Sequence, residues 1–314
     1  MMKFGEDKFR FGRKLRVDYL IILTAISAFL GKVELVLKVG LVSRLDDSKA
    51  LEIATSLAKL LRKKGILVAT ELELAKLARL GGGRDMSDLR SDLIVTVGGD
   101  GTVLKTCMSI PEPETPILAV NMGRRGYLTE VEPRQAFRAV ELFSKGKCRL
   151  EKRTKLAVYL DGAHVVDALN ELVVSSGSPS KMLDFRLFVG PEFLLQSRGD
   201  GVIVSTATGS TAYALSAGGP VVDSSVDAYV ITFICPLEFI RPRVVSMARP
   251  LSIQLMNPKQ RALVVADGRF QRELKSNVKL VIRKAEHSAV FVRLGAPQPS
   301  GGLAPLRETE RGGL

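Results

Sequence analysis

The chain has 314 residues, a formal net charge of +13, two histidines, three cysteines and no tryptophan. That length accommodates two domains of ~100 to 150 residues, and with only 6% aromatic residues their cores must rest on Leu, Val, Ile and Ala. Cys107, Cys148 and Cys235 form no Cys-x-x-Cys pair, which excludes a disulfide framework, fits a cytoplasmic setting and reads each as a small buried hydrophobe. His164 and His287 are too few for a His-rich metal centre, so any metal is Mg²⁺ or another divalent ion held by carboxylates and phosphates. Basic residues cluster at 8–16, 62–64 and 145–155 without a helix-turn-helix, zinc-finger or RNP-type pattern. They read as solvated faces that steer anions, and neither nucleic acid nor membrane is expected as a partner. Few Asn beside many Lys, Arg and Glu hints at a thermophilic source.

In chain order, residues 1–37 come first as an extension with an apolar run at 19–31, shorter than the ~20 residues a membrane-spanning helix needs. Basic residues precede that run but no small-x-small cleavage site follows, so it reads as an appended helix or an upstream start site. From residue 38 the pattern alternates: strand 39–43, amphipathic helix 48–64, strand 66–70, helix 71–80, strand 92–97, a short helix after Thr102 and strand 117–121. Such alternation predicts a parallel α/β domain over 38–135, Rossmann-like, with ligands at the carboxyl ends of its strands. A helix over 134–146 then leads into short β-rich runs at 157–160, 164–175, 185–189, 202–204, 229–235, 251–256, 263–266 and 278–282, with a turn at Asp161-Gly162. These predict a largely antiparallel β domain over 136–295. The Gly- and Pro-rich stretch 296–314 reads as a disordered tail.

Two segments carry chemistry. Val97-Gly98-Gly99-Asp100-Gly101-Thr102 follows an apolar strand and leads into a helix, so its glycines let backbone N–H groups close on phosphate oxygens at the positive end of that helix. Asp100 is out of place in a simple phosphate cradle. A carboxylate there has a purpose if it holds a metal or takes a proton from a nucleophilic hydroxyl; otherwise it is a helix cap on an ordinary turn. The second segment, residues 199–223, gives a buried strand, a hydroxyl-rich loop over 205–211 and a small-residue helix over 212–217 ended by Gly218, Gly219 and Pro220. Its Ser and Thr hydroxyls either serve a polar ligand or bond their own backbone.

With these blocks the chain resembles the NAD kinases. The resemblance rests on Gly98-Gly99-Asp100-Gly101-Thr102, on residues 121–129 with Asn121, Gly123 and Gly126, on Asn170-Glu171, on Asp200 through Gly219, on Arg241-Pro242 and on Asp267-Gly268, in family order over residues 38–294. The first block alone would also fit diacylglycerol or sphingosine kinases and phosphofructokinases. The family implies two domains with the active site in the crevice between them, Asp100 as general base toward the 2′-hydroxyl of the adenosine ribose of NAD, and phosphate contacts from Gly98, Gly99, Gly101 and Thr102. It further implies that Asn170 and Glu171 hold ribose and adenine. Asp200, Thr208, Thr211, Ala212, Tyr213, Ala214, Leu215 and Ser216 match dinucleotide-binding positions, and Lys181 and Arg198 are weaker matches able to neutralise phosphate. Asn121, Gly123 and Gly126 are read as shaping a loop.

Three residues depart from the family pattern: Ala207 where Pro is usual, Leu237 where His is common, and Arg269 after Asp267-Gly268 where Gln is frequent. The expected activity is therefore phosphoryl transfer from ATP, or inorganic polyphosphate, to NAD with Mg²⁺, by a homodimer or homotetramer. The competing readings are a lipid kinase sharing the first turn and a non-catalytic dinucleotide- or nucleic-acid-binding regulator.

Overall fold

A computed structural model describes residues 36–123, 126–178 and 181–295; the expectations for the amino-terminal run and the tail lie outside the described residues. The first unit begins with β1 (Lys38–Ser43), α1 (Ser48–Lys63), β2 (Leu67–Glu71), α2 (Leu72–Leu77), β3 (Gly83–Arg84), β4 (Leu93–Gly98), α3 (Asp100–Ser109), β5 (Ile117–Asn121) and α4 (Ala136–Ser144). Asp47 caps α1 by accepting the N–H groups of Lys49 and Ala50. Ala50, Ala54, Leu57, Ala58 and Leu61 recur at helical spacing and pack on Val39, Leu41, Leu93 and Val95 of the sheet. On the opposite face Val103 and Cys107 of α3 pack on Val42, Ile94 and Ala119. A sheet with helices on both faces needs strands that are apolar throughout, which is why β4 is buried at every position.

The chain continues through β6 (Arg149–Arg153), β7 (Leu156–Leu160), β8 (Ala163–Ala168), β9 (Glu171–Ser176), β10 (Leu183–Val189), β11 (Glu192–Gly199), β12 (Gly201–Ser205), a 3-10 turn (Thr208–Thr211) and the one-turn helix α5 (Tyr213–Ser216). It ends with β13 (Ala228–Ile234), β14 (Arg243–Ser246), β15 (Leu251–Leu255), β16 (Arg261–Ala266), β17 (Phe270–Lys275), β18 (Leu280–Lys284) and β19 (Ala289–Arg293). The second unit is a sandwich of two six-stranded antiparallel sheets, ordered β11-β10-β15-β18-β7-β8 and β14-β13-β12-β9-β16-β17. Strict alternation of burial along β10 aims Leu183, Phe185, Leu187 and Val189 into the shared core, where Phe185 stacks on Phe233 of the facing sheet at 6.4 Å.

The parallel α/β sheet followed by antiparallel β layers is the expected architecture. Its first sheet extends past residue 135, however. Ala136, Ala139, Val140 and Phe143 of α4 lie in the first core, and the order β3-β2-β1-β4-β5-β19-β6 brings β19 back from the end of the chain to lie parallel to β5 and antiparallel to β6. A division at 135/136 thus cuts through a packed core.

Local readings shift for physical reasons. Helix α3 starts at Asp100, before Thr102, and α2 stops at Leu77. The run 164–175 breaks at Leu169-Asn170 into β8 and β9, the expected helix 212–217 shortens to α5, and the expected loop before it contains the 3-10 turn. Of the strands missing from the expectation, β3, β6, β11, β14 and β17 are all sheet edges, where one side needs no neighbour and charged sequence is tolerated. Cys107 is buried, and burial pushes its thiol up to about 12, but Cys235 is exposed, in a left-handed backbone conformation. No helix among the described residues is long and apolar enough to cross a membrane.

Candidate active site

β1 leads to β2 on one side and β4 to β5 on the other, so strand order reverses between β1 and β4 and opens a crevice at their carboxyl ends. The Gly98-Gly99 turn lies there. A Cβ on Gly98 would stand 2.3 Å from Thr102 Oγ1, so only glycine lets α3 start this close to its strand. Among the described residues nothing accepts the N–H groups of Gly99, Asp100 and Gly101, which leaves them, with the positive end of α3, for an anion.

The Asp100 carboxylate turns to the loop after β5. Oδ2 accepts Tyr127 N–H at 3.0 Å and Oδ1 accepts Leu128 N–H at 3.2 Å. Gly126 makes room for it, because a Cβ there would stand 2.3 Å from Asp100 Oδ1. Asn121 shapes the start of the same loop by accepting Gly123 N–H on its side chain at 3.1 Å. The carboxylate is held in place while each oxygen keeps acceptor capacity.

Across the crevice, Leu172 and Val174 point into the sandwich core, so Glu171 at the head of β9 points to the outer face beneath the Thr208–Ser216 segment. Glu171 is 8% exposed, lies close to the Tyr213 N–H, and has no hydrogen-bond partner for Oε2. Burial, and after it the negative Asp267, pushes its carboxyl up to about 7 against the Tyr213 N–H. Asp267 is itself buried and accepts the N–H groups of Leu169 at 2.7 Å, Asn170 at 2.8 Å and Glu171 at 3.0 Å. Burial raises the Asp267 carboxyl, and those three donors and Lys155 oppose the rise.

Thr206 and Gly209 complete this corner. Thr206 N–H donates to Asn170 O at 2.8 Å, its hydroxyl donates to Leu169 O at 2.7 Å, and that hydroxyl accepts Gly209 N–H at 3.0 Å. A Cβ on Gly209 would meet Asn170 O at 2.1 Å, so the loop lies directly on the Asn170 backbone. Ser210 is turned to its own loop, bonding Ala207 O and Val222 N–H. Thr211 donates back to Thr208 O, Ala214 is buried, and Tyr213 and Ser216 face solvent.

Arg269 joins the two sides. It follows the hairpin turn at Asp267 and Gly268, both in the left-handed region, and its Nη2 donates to Gly101 O at 2.6 Å. Leu169 packs in the same cluster as Val103 and Cys107 of α3, so apolar contact backs the polar one. The crevice thus gathers Gly98, Gly99, Asp100, Gly101 and Thr102 on one wall and Asn170, Glu171 and the 208–216 segment on the other. Lys181, Arg198 and Asp200 are not in this cluster. They gather at the end of the sandwich where β11 crosses to β12: Leu183 pairs with Gly199 on β10–β11, and Asp200 O accepts Ser176 N–H at the far end of β9. The length of β9, roughly 16 Å, separates them from Glu171. Asp267, Thr206 and Gly126 are the supporting residues that the sequence did not place in the site; Asp267-Gly268 was visible only as a block of the family resemblance, and its reach to Leu169-Asn170-Glu171 was not.

Among the described residues no three His, Cys, Asp or Glu side chains converge on a metal position. Asp100 is the one carboxylate of the phosphate-facing turn, a donor set that fits Mg²⁺ carried on a nucleotide's phosphates and not one caged by protein.

A helix start open to anions, a fixed carboxylate beside it and a polar corner opposite define a nucleotide-dependent phosphotransferase. Residues 39–148 match the ATP-NAD kinase N-terminal domain and residues 169–294 the ATP-NAD kinase C-terminal domain. The chain belongs to the NAD kinase family. An NAD kinase of Methanothermobacter thermautotrophicus is 40% identical over 261 residues, 82% of this chain and 92% of that protein. One of Methanoculleus marisnigri is 38% identical over 263 residues, 83% and 96% of the respective chains. The solved NAD kinase from Archaeoglobus fulgidus in complex with ATP superposes with a TM-score of 0.64 at 31% identity, covering 81% of this chain and 92% of that one. Yeast NADH kinase, solved with NADH, shares the fold at a TM-score of 0.79 and 22% identity, over 88% and 89% of the chains. This membership sets the chain apart from the lipid kinases that share the first turn.

Proposed function

We propose that the chain transfers the γ-phosphoryl group of ATP to the 2′-hydroxyl of the adenosine ribose of NAD, giving NADP and ADP. The observation that carries the reading is the Asp100 carboxylate, held by the Tyr127 and Leu128 N–H groups beside the open start of α3 and facing the Asn170-Glu171 corner across the crevice. A neutral hydroxyl is a weak nucleophile, and Asp100 takes its proton as the 2′-oxygen bonds to the γ-phosphorus. The bond from that phosphorus to the β,γ-bridging oxygen breaks, and its electron pair leaves on ADP. The N–H groups of Gly99, Asp100 and Gly101 stabilise phosphate charge, while Asn170 and Glu171 bind the nucleoside. Placement of the two reactants across one crevice supplies the rest.

Mg²⁺ or another divalent ion is the cofactor we assign; Asp100 is the residue that would hold it, and once bound it would neutralise triphosphate charge. Inorganic polyphosphate presents the same oxygens to this turn and is the alternative donor. The family resemblance implies a homodimer or homotetramer, and the setting of Lys181, Arg198 and Asp200 a strand length away from Glu171 agrees with residues that serve a neighbouring copy. We place the enzyme in the cytoplasm, as its reduced cysteines favour. The test incubates purified protein with NAD, Mg²⁺ and ATP and reads NADP with an NADP-specific dehydrogenase. ATP-dependent NADP is expected, and its absence from folded protein would overturn the reading.

A further inference from the structure

Arg269 stands where the family frequently has Gln, and its placement asks for an explanation. Its side chain is exposed, it crosses from the β16–β17 turn to the Gly98–Thr102 turn, and its Nη2 donates to Gly101 O at 2.6 Å. The guanidinium lies over Gly101, since a Cβ on that residue would be 3.4 Å from Nη2. A guanidinium has five N–H donors, and this hydrogen bond uses one of them. Among the described residues Arg269 forms no ion pair. An unpaired cation is thus parked at the positive end of α3, beside three N–H groups that also lack acceptors. The Asp100 carboxylate of the same turn is engaged by the Tyr127 and Leu128 N–H groups, so these donors stay open to a second anion.

We infer that Arg269 is a donor-binding residue: its free N–H groups hold the terminal phosphates of ATP against the start of α3, opposite the Asp100 carboxylate. The class of ligand follows from the donors. Several N–H groups in a planar fork, added to the backbone N–H groups of a Gly-rich turn, match tetrahedral phosphate oxygens, and a Gln amide brings neither the charge nor the fork. The Gly101 hydrogen bond fixes the guanidinium before the ligand arrives, so little side-chain freedom is lost on binding. As the 2′-oxygen of NAD bonds to the γ-phosphorus and the bridging bond breaks onto ADP, Arg269 sits where charge on the transferring group is greatest.

This inference rests on the proposed kinase reading, and the experiment separates the two. The full-length enzyme, Arg269→Gln and Arg269→Lys are compared by steady-state kinetics with ATP and NAD, by calorimetric titration with a non-hydrolysable ATP analogue, and by thermal melting. Arg269→Gln is expected to lose on the order of 10²-fold in kcat/KM for ATP, with KM for NAD within about twofold and the melt close to that of the parent. Arg269→Lys keeps the charge without the fork and should recover part of the loss. A Gln variant with parental kcat and KM for ATP overturns the inference, as does a loss confined to KM for NAD or a loss that merely tracks a lowered melting temperature. If Arg269→Gln does not fold, Arg269→Lys carries the same comparison. If the parent makes no NADP, the function reading fails by itself; the titration still decides Arg269, since unchanged analogue affinity in the variant rejects its role.

Discussion

Asp267 and Glu171 are tied to each other twice: Asp267 Oδ1 accepts Glu171 N–H at 3.0 Å, and Asp267 N–H donates to Glu171 O at 3.0 Å. Two buried carboxyl groups are thereby fixed next to each other, and each is harder to ionise than a free acid. The arrangement strains electrostatics at the place where a substrate's hydroxyls would offer hydrogen bonds, and it makes this corner sensitive to pH.

Glu171 provides the first prediction. Its carboxyl is raised from 4.5 to about 7. The folded protein therefore holds this proton longer than the unfolded chain, so the contribution to stability is full below 4.5 and is lost as pH rises through about 7. The rise corresponds to about 3 kcal/mol of charging penalty at higher pH. Glu171→Gln should flatten the decline in stability between pH 4.5 and 7 and melt higher than the parent at pH 8. Denaturant melts across that range check it; a variant with the parental pH slope would refute the assigned cause.

The same ionisation should be visible in substrate affinity. An ionised Glu171 accepts ribose hydroxyls better than a protonated one, so KM for NAD should fall as pH rises through about 7. Glu171→Ala should lose about 1 to 3 kcal/mol of NAD binding and the pH dependence with it. A folded Ala variant with an unchanged KM for NAD would remove Glu171 from the site.

Asp267→Asn tests the anchor. Three backbone N–H groups share two carboxylate oxygens, and an amide must turn its NH₂ toward at least one of those donors. A loss of about 1 to 3 kcal/mol in stability is expected, with weaker NAD binding because Asn170 and Glu171 lose their fixed backbone. Left-handed backbone at position 267 suits Asn as well as Asp, so any loss reports the acceptors and not the turn. Chemical denaturation and an NAD titration on one preparation measure both effects.

The Asp100 carboxylate caps no helix but holds the Tyr127–Leu128 loop, and Asp100→Asn separates that structural role from a catalytic one. Because each Asp100 oxygen accepts a backbone N–H, the amide leaves one of these donors facing NH₂, and a modest fall in melting temperature is expected. NADP formation should drop at least ~10²-fold, since the amide takes no proton at neutral pH, while NAD still binds. Turnover near the parental rate would end the general-base assignment.

Gly126→Ala asks the same question without touching the acid. The added methyl would lie 2.3 Å from Asp100 Oδ1 and 2.7 Å from Thr129 Oγ1, so the carboxylate or the loop must move. Misplacement by about 1 Å costs on the order of 10²-fold in rate. Circular dichroism should be unchanged while turnover falls. An active Gly126→Ala enzyme would mean that the position of Asp100 is not critical.

How much of this was legible depends on the range over which each feature is decided. The alternation from residue 38 to 121, the Gly98-Gly99-Asp100-Gly101 turn and the antiparallel second half could be read because apolar periodicity and glycine placement act between near neighbours in the chain. Edge strands such as β6 and β17 could not, since their charged sequence becomes strand only beside a partner from elsewhere. The break between β8 and β9 was hidden for a related reason: Asp267, nearly a hundred residues away, takes the N–H groups of Leu169, Asn170 and Glu171 and bends the chain there. Sequence motifs alone placed Asp100 and the Asn170-Glu171 pair among the functional residues and grouped Lys181, Arg198 and Asp200 with them. Only the tertiary structure set Lys181, Arg198 and Asp200 at the far end of the sandwich from Glu171, returned β19 to the first sheet and carried Arg269 across the crevice to Gly101. Residue type and spacing determine what chemistry a segment can offer; which segments meet is decided by long-range pairing and burial, which leave no mark within either segment.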